Sequence, residues 1–129
     1  GDVYKRQYLD LAWHSKNRKI LDINKFEKKL FKSLKKPNEI DSRYGSTYFN
    51  HIFSGGYSSS YYSYMWSEVL DSSAFEVFEK KGLFHKSSGK KLKELVYSSG
   101  NSKNLMDQFI KFNGKKPNPK RLLQKRGLA

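Results

Sequence analysis

The sequence predicts a mostly α-helical fold. In several segments apolar residues recur at intervals of three and four, and no segment shows the strict alternation typical of a half-buried strand. Clusters of glycine, proline and serine separate these segments. The length of 129 residues suits one domain or a piece of a larger one. We therefore expect short helices joined by polar turns.

The first strongly periodic segment follows Asp22, whose carboxylate is suited to cap a helix N-terminus. Its apolar positions are Ile23, Phe26, Leu30 and Leu34. The helix is expected to end before Pro37, because proline disfavours helical backbone in the residue that precedes it.

The longest predicted helix runs from Tyr57 to Lys81 and ends at Gly82, a residue type favoured as a left-handed C-cap. At about 100° per residue, one face of this helix would carry phenols and one carboxylate, at Tyr57, Tyr61, Tyr64 and Glu68. The opposite face would be apolar and pack on a core, with Tyr62, Trp66, Val69 and Leu70. The phenols are either ordinary packing tyrosines or a row of hydrogen-bond donors, and spacing does not decide between the two.

Three shorter helices are predicted in the last third of the chain. Ser88 would open the first, Ser102 would cap the second, and Gly114 would end the second. The third would follow Pro119. Their apolar positions are Leu92, Leu95, Val96, Leu105, Met106, Phe109, Ile110, Leu122 and Leu123.

Composition narrows the kind of protein. The absence of cysteine excludes disulfides and thiolate metal sites and favours a reducing, cytoplasmic location. The three histidines, His14, His51 and His85, include no pair at the i, i+4 spacing that lets one helix face bind zinc. We therefore expect no metal site within this chain.

The longest uncharged stretch, residues 44–67, is long enough to cross a bilayer as a helix. It contains seven serines and three glycines, which are too polar for hydrocarbon, so no membrane partner is predicted.

The formal net charge is +14, yet no lysine or arginine lies between Tyr44 and Glu79. Modules that stack nucleic-acid bases usually interleave aromatic and basic residues, because the phosphates must be neutralised near the bases. Here the two residue types are segregated, which indicates solvated lysine faces and no specific nucleic-acid partner. A basic helical binding module for RNA or another acidic partner remains the alternative.

Several motifs together carry a family resemblance. The run from His51 to Tyr57 (HIFSGGY) and the run from Tyr61 to Leu70 (YYSYMWSEVL) resemble the C-terminal region of the thimet oligopeptidase and peptidyl-dipeptidase family of zinc metallopeptidases. Residues 9–14 (LDLAWH), 99–102 (SGNS) and 126–128 (RGL) fit the same pattern, and the bacterial oligopeptidase A and dipeptidyl carboxypeptidase branch looks most similar. Residues 8–129 therefore resemble a C-terminal fragment of the catalytic domain. Residues 1–7 do not fit the pattern and are interpreted as a non-native tail.

The resemblance implies part of a larger, all-helical zinc peptidase that cleaves short peptides. Zinc would be bound by a His-Glu-x-x-His helix in the upstream part of the enzyme, and this motif is absent here. The implied partners are a peptide substrate and that upstream zinc-binding part.

The resemblance also implies roles for six residues. Tyr61 and Tyr64 would be the catalytic phenols that stabilise the intermediate's negative oxygen. The substrate-binding residues would be His51, Gly55, Gly56 and Tyr57. Because a phenol with a pKa near 10 stays protonated at neutral pH, it can donate to an oxyanion without acting as a base.

Overall fold

A computed structural model of the chain describes residues 2–15, 19–37, 39–40 and 42–129. The chain divides into two compact units, Gly1–Met65 and Trp66–Ala129. The described residues form helices and turns and contain no strand, which confirms the predicted fold class. The α-helices are α1 (Asp2–His14), α2 (Ile23–Ser33), α3 (Asn50–Phe53), α4 (Ser63–Lys81), α5 (Lys86–Leu92), α6 (Leu105–Asn113) and α7 (Pro119–Lys125). A 3-10 helix covers Ser46–Tyr48 and a π-helix covers Lys93–Tyr97.

Unit 1 has a small aromatic core that supports the glycine loop and the tyrosines. Its buried members are Leu9, Phe49, Ile52 and Tyr61. The Trp13 ring of α1 lies 4.6 Å from the Phe26 ring of α2, and its Nε1–H donates to the Ser46 hydroxyl at 2.7 Å. These contacts join both helices to the 3-10 helix, which leads directly into α3 and the glycine loop.

The start of α4 differs from the prediction. The helix begins at Ser63 rather than Tyr57, and turns occupy residues 58–62. The backbone N–H groups of Ser59 and Tyr61 donate to the two carboxylate oxygens of Asp10, each at 2.9 Å. Ser59 also has a φ of 56°, which is outside the right-handed helical region. The prediction of one helix from Tyr57 was therefore wrong, because Ser59 is not helical and because Asp10 binds the Tyr61 N–H that such a helix would donate to the Tyr57 carbonyl.

The expected apolar face of α4 is only partly buried. Val69 is buried, but Trp66 remains 42% exposed. Tyr62, which precedes the helix, is 52% exposed. Placing Tyr62 against a core was therefore wrong, because it lies in the turn.

The helix ends set by local signals agree well with the sequence. Asp22 caps α2 by accepting from the Lys25 N–H at 2.9 Å. Gly82 and Gly114 follow α4 and α6 with φ values of 101° and 79°. The predicted helix that holds Leu122 and Leu123 is α7, and it begins at Pro119 rather than after it.

Two predicted helix starts in unit 2 are displaced by about two residues. The N-cap of α5 is His85, whose ring nitrogen accepts from the Ser88 N–H, so Ser88 is inside the helix. The N-cap of α6 is Asn104, which accepts from the Asp107 N–H at 3.1 Å, and not Ser102.

Helix α4 carries four of the six acidic side chains of unit 2, and each of the four forms an ion pair with a basic residue of that unit. Glu76 is placed between Lys80 at 2.7 Å and Lys115 at 2.9 Å. The other pairs join α4 to the C-terminal segment: Glu68 with Arg126, Asp71 with Lys125, and Glu79 with Arg121. The carboxylates in the stretch without lysine or arginine are therefore paired with basic side chains from other parts of the sequence.

Unit 2 also contains an apolar groove of about 670 Å³ between α4, the π-helix and α6. Its lining includes Trp66, Phe75, Phe78, Leu95, Phe109 and Phe112. None of the helices in the described part of the chain combines the length and apolar character needed to cross a bilayer.

Candidate functional site

The candidate site is a cluster of rings in unit 1. The Tyr64 ring lies 5.1 Å from the Tyr57 ring and 5.0 Å from the Tyr61 ring. The His51 ring lies 6.2 Å from Tyr57 and 5.9 Å from Tyr61. The structure thus brings all four predicted side chains together, although only Tyr64 belongs to α4. Tyr57 and Tyr61 reach the cluster from the non-helical segment that precedes α4.

Exposure differs sharply within this cluster. Tyr64 is 42% exposed, whereas Tyr61 is only 5% exposed and belongs to the core of the unit. The Tyr61 hydroxyl accepts a hydrogen bond from Arg6 Nη1 at 2.9 Å. Arg6 lies on α1, and its guanidinium carbon is 5.7 Å from the centre of the Tyr61 ring. Tyr64 is the phenol of this pair that solvent reaches more readily.

The surroundings of Tyr64 keep its phenol protonated. Hydrogen bonding to the Tyr57 phenol raises the pKa of Tyr64 above its ordinary value of 10.0, and partial desolvation and the phenols of Tyr57 and Tyr61 act in the same direction. Tyr64 therefore keeps its proton at neutral pH and can donate a hydrogen bond.

The glycine loop closes tightly on α3. The Gly55 N–H donates to the Asn50 carbonyl at 2.8 Å, and the Tyr57 N–H donates to the His51 carbonyl at 3.0 Å. A Cβ at Gly55 would lie 2.8 Å from the His51 Cα, so only glycine fits without a backbone shift. Gly56 has a φ of 81°, which also favours glycine, and it is exposed. The loop therefore presents backbone next to His51 and Tyr57.

Sequence reasoning missed two residues that shape this site. Tyr44 stacks on Phe49 at 5.2 Å and lies 5.6 Å from the His51 ring, so it supports the histidine. Asp10 binds the turn that carries Tyr61. The family motif around Asp10 was recognisable in the sequence, but its contact with residues about fifty positions later had no local signal.

The described residues do not form a metal centre. No group of three or more histidine, aspartate or glutamate side chains is arranged to bind a metal ion in the part of the chain that the structure describes. The residues present therefore do not fit a zinc site.

Comparison with known proteins identifies the family. The model of peptidase family M3 matches residues 3–128. The chain belongs to peptidase family M3. This match includes residues 3–7, and α1 also runs through them. The boundary that separates a tail at residues 1–7 from the fragment at residues 8–129 stays a prediction.

Curated relatives in family M3 support the same assignment. The chain is 35% identical over 132 residues to dipeptidyl carboxypeptidase of Escherichia coli (strain K12), which covers 99% of the chain and 19% of that protein. It is 40% identical over 80 residues to oligopeptidase A of the same organism, covering 62% of the chain and 12% of the relative. Thimet-like oligopeptidase of Dictyostelium discoideum is 37% identical over 92 residues, which covers 71% of the chain and 13% of that protein. The chain spans less than a fifth of the length of these relatives.

Proposed function

We propose that this chain supplies one wall of the substrate site in a zinc metallopeptidase that cleaves short peptides. The observation that carries the proposal is the convergence of His51, Tyr57, Tyr61 and Tyr64 in one ring cluster beside the glycine loop. Membership of peptidase family M3 supports a peptidase, and that family is zinc-dependent in general. Because the described residues do not fit zinc, we place the metal ligands in the upstream part of the enzyme.

In this proposal the phenols act on the oxygen of the scissile carbonyl. When water attacks a peptide carbonyl, the carbonyl oxygen becomes negative, and a fixed hydroxyl that donates to it stabilises the transition state more than the substrate. Tyr64 is protonated and partly exposed, which suits it for this donation. Tyr61 is the second catalytic phenol.

The remaining residues would bind the peptide. Gly55 and Gly56 have no side chain, so the substrate backbone can approach the loop closely. His51 and Tyr57 flank the loop and offer an imidazole and a phenol for hydrogen bonds to peptide groups. The proposed partners are thus a peptide substrate and the upstream zinc-binding part. A cytoplasmic location stays a prediction.

The alternative function, a basic helical module for RNA or another acidic partner, gains no support. The family assignment favours a peptidase. Several basic side chains of unit 2 also form ion pairs with acidic residues of α4, which reduces the positive charge they present.

The proposal can be tested in a chimera that joins residues 3–129, which include the Arg6 partner of Tyr61, to the upstream region of Escherichia coli dipeptidyl carboxypeptidase. Tyr64→Phe and Tyr61→Phe each remove one hydroxyl. We expect kcat to fall by about 10²–10³ with a smaller change in KM, as for loss of an oxyanion-hole donor. The matched control is Tyr62→Phe, because Tyr62 is exposed and lies outside the ring cluster. Equal kinetic effects of all three substitutions, or effects on KM alone, would contradict the assignment.

A further inference from the structure

Asp10 is a buried carboxylate with no role in the proposed peptidase mechanism. It lies on α1 with 0% of its surface exposed. A charged group without solvent contact needs hydrogen bonds to compensate for lost hydration. The Asp10 carboxylate has two from backbone amides: Oδ1 accepts from the Ser59 N–H and Oδ2 accepts from the Tyr61 N–H, each at 2.9 Å. His14 Nδ1 lies 2.8 Å from Oδ1 and also 2.8 Å from the Asp10 carbonyl oxygen.

The two backbone bonds reach a strained turn far along the chain. Ser59 is 49 residues and Tyr61 is 51 residues from Asp10 in the sequence. Ser59 adopts a φ of 56°, a left-handed conformation that residues other than glycine rarely adopt. Amide groups that converge on one point form an anion-binding concavity, and here the anion is the Asp10 side chain itself. Asp10 thus stabilises a turn in which a serine, Ser59, has a backbone conformation that serine rarely adopts.

This turn determines where the phenols lie. The Tyr61 ring is buried edge-on against Phe49 at a centroid distance of 5.0 Å. The N–H of Ser63 donates to the Ser60 carbonyl at 3.0 Å, and that of Tyr64 donates to the Tyr61 carbonyl at 3.4 Å. The turn therefore sets the first residues of α4, and with them the position of Tyr64.

We infer that Asp10 is a positioning residue: by binding the amides of Ser59 and Tyr61 it fixes the turn that presents the two phenols. This inference rests on the proposed function for the importance of the phenols, but the contact itself is independent of it. Asp10 is given no contact with substrate and acts through the turn that carries Tyr61 and leads into Tyr64.

The contact is tested first in the full 129-residue chain by NMR. In Asp10→Asn one oxygen becomes an NH₂ group, so a donor faces a backbone N–H and one of the two amides loses its acceptor. Hydrogen exchange at Ser59 or Tyr61 should become about 10-fold to 100-fold faster. The matched control is Asp22→Asn, which alters an exposed carboxylate that also accepts one backbone N–H. Unchanged exchange at both amides in Asp10→Asn would overturn the inference.

A second measurement covers the case in which Asp10→Asn does not fold. Scalar couplings across the hydrogen bonds, from the amide nitrogens of Ser59 and Tyr61 to the Asp10 carboxylate carbon, are measured in the wild-type chain. We expect both couplings to be detectable. If neither is present in a folded chain, Asp10 does not hold the turn.

The functional part is tested by a double-mutant cycle in the chimera. Asp10→Asn should lower kcat by about 10-fold or more with little change in KM, and by a clearly smaller factor in the Tyr61→Phe background, where only the Tyr64 hydroxyl remains to be misplaced. An equal loss of kcat in both backgrounds, or a change in melting temperature without a change in kcat, would refute positioning through Tyr61. If Tyr61→Phe itself leaves kcat unchanged, the proposed function fails, while the exchange and coupling data still decide whether Asp10 holds the turn.

Discussion

The tight packing of Gly55 against α3 predicts a specific cost for adding one methyl group. In Gly55→Ala the new Cβ would lie 2.8 Å from the His51 Cα, 3.1 Å from the His51 carbonyl oxygen and 3.3 Å from the Asn50 carbonyl oxygen. Favourable carbon contacts lie at about 3.5–4.0 Å, so the backbone must shift by roughly 0.7 Å or more. All three neighbours are backbone atoms of α3, which cannot rotate away.

The expected change in the free energy of unfolding of Gly55→Ala is the sum of two opposing effects. Overpacking of this kind typically costs about 1–3 kcal/mol. Replacing glycine by alanine also restricts the unfolded chain, which favours folding by about 0.4–1 kcal/mol. We therefore expect Gly55→Ala to lower the free energy of unfolding by about 1–2 kcal/mol and to separate the His51 ring from the Tyr57 ring, because the bond from the Tyr57 N–H to the His51 carbonyl lies across the same site.

Gly89 offers a matched control for this substitution. It lies within α5, and a Cβ there would meet nothing within 4 Å. Gly89→Ala should therefore raise the free energy of unfolding by about 0.5–1 kcal/mol through helix propensity. Urea denaturation of both variants and the wild type measures the difference, and nuclear Overhauser contacts between His51 and Tyr57 report the ring separation. A Gly55→Ala variant as stable as the wild type, with those contacts intact, would refute the packing argument.

Three further outcomes are expected from the same chain. Hydrogen bonds from Lys80 and then Lys115 lower the pKa of Glu76 from its ordinary value of 4.5 to about 2, so the stability that Glu76 contributes is present above pH 4.5 and is lost as the pH falls towards 2. This surface pairing should contribute about 1 kcal/mol at most, and Glu76→Gln should flatten that part of the stability profile measured by urea denaturation. Trp13→Phe removes the donor to Ser46 and should lower the free energy of unfolding by about 1 kcal/mol, and a variant as stable as the wild type would show that this bond contributes nothing. After dialysis the isolated chain should hold far less than one zinc ion per molecule by atomic absorption, whereas stoichiometric zinc would contradict an upstream metal site.

Local signals in the sequence were enough to place several helix ends. Asp22, Gly82 and Gly114 act through their own backbone or the next turn, so their roles can be read without the fold. The displaced N-caps at His85 and Asn104 also act locally, but serine, asparagine and histidine compete as caps and the sequence does not rank them.

The residues of the candidate site could be predicted from the sequence, but the backbone structure that positions them could not. His51, Tyr57, Tyr61 and Tyr64 were identified from a family resemblance, and the structure brings their rings together. We had expected one continuous helix to place these tyrosines on a common face. That explanation was wrong, because the Asp10 carboxylate binds the Ser59 and Tyr61 amides before the helix begins at Ser63. Spacing rules assume that backbone groups pair within their own helix, and a buried side chain from another helix breaks that assumption.

The ion pairs between α4 and the C-terminal segment have a consequence for the order of folding. Glu79 and Arg121 are 42 residues apart, and Glu68 and Arg126 are 58 residues apart. At a ribosomal rate of about 5–20 residues per second, α4 is made roughly 2–12 s before these partners exist. During that interval Glu76 and Lys80, one helical turn apart, are the pair that the nascent helix can already form. Until then the helix has only this one of its ion pairs, and Glu68, Asp71 and Glu79 gain their partners only after residues 121–126 have been synthesised.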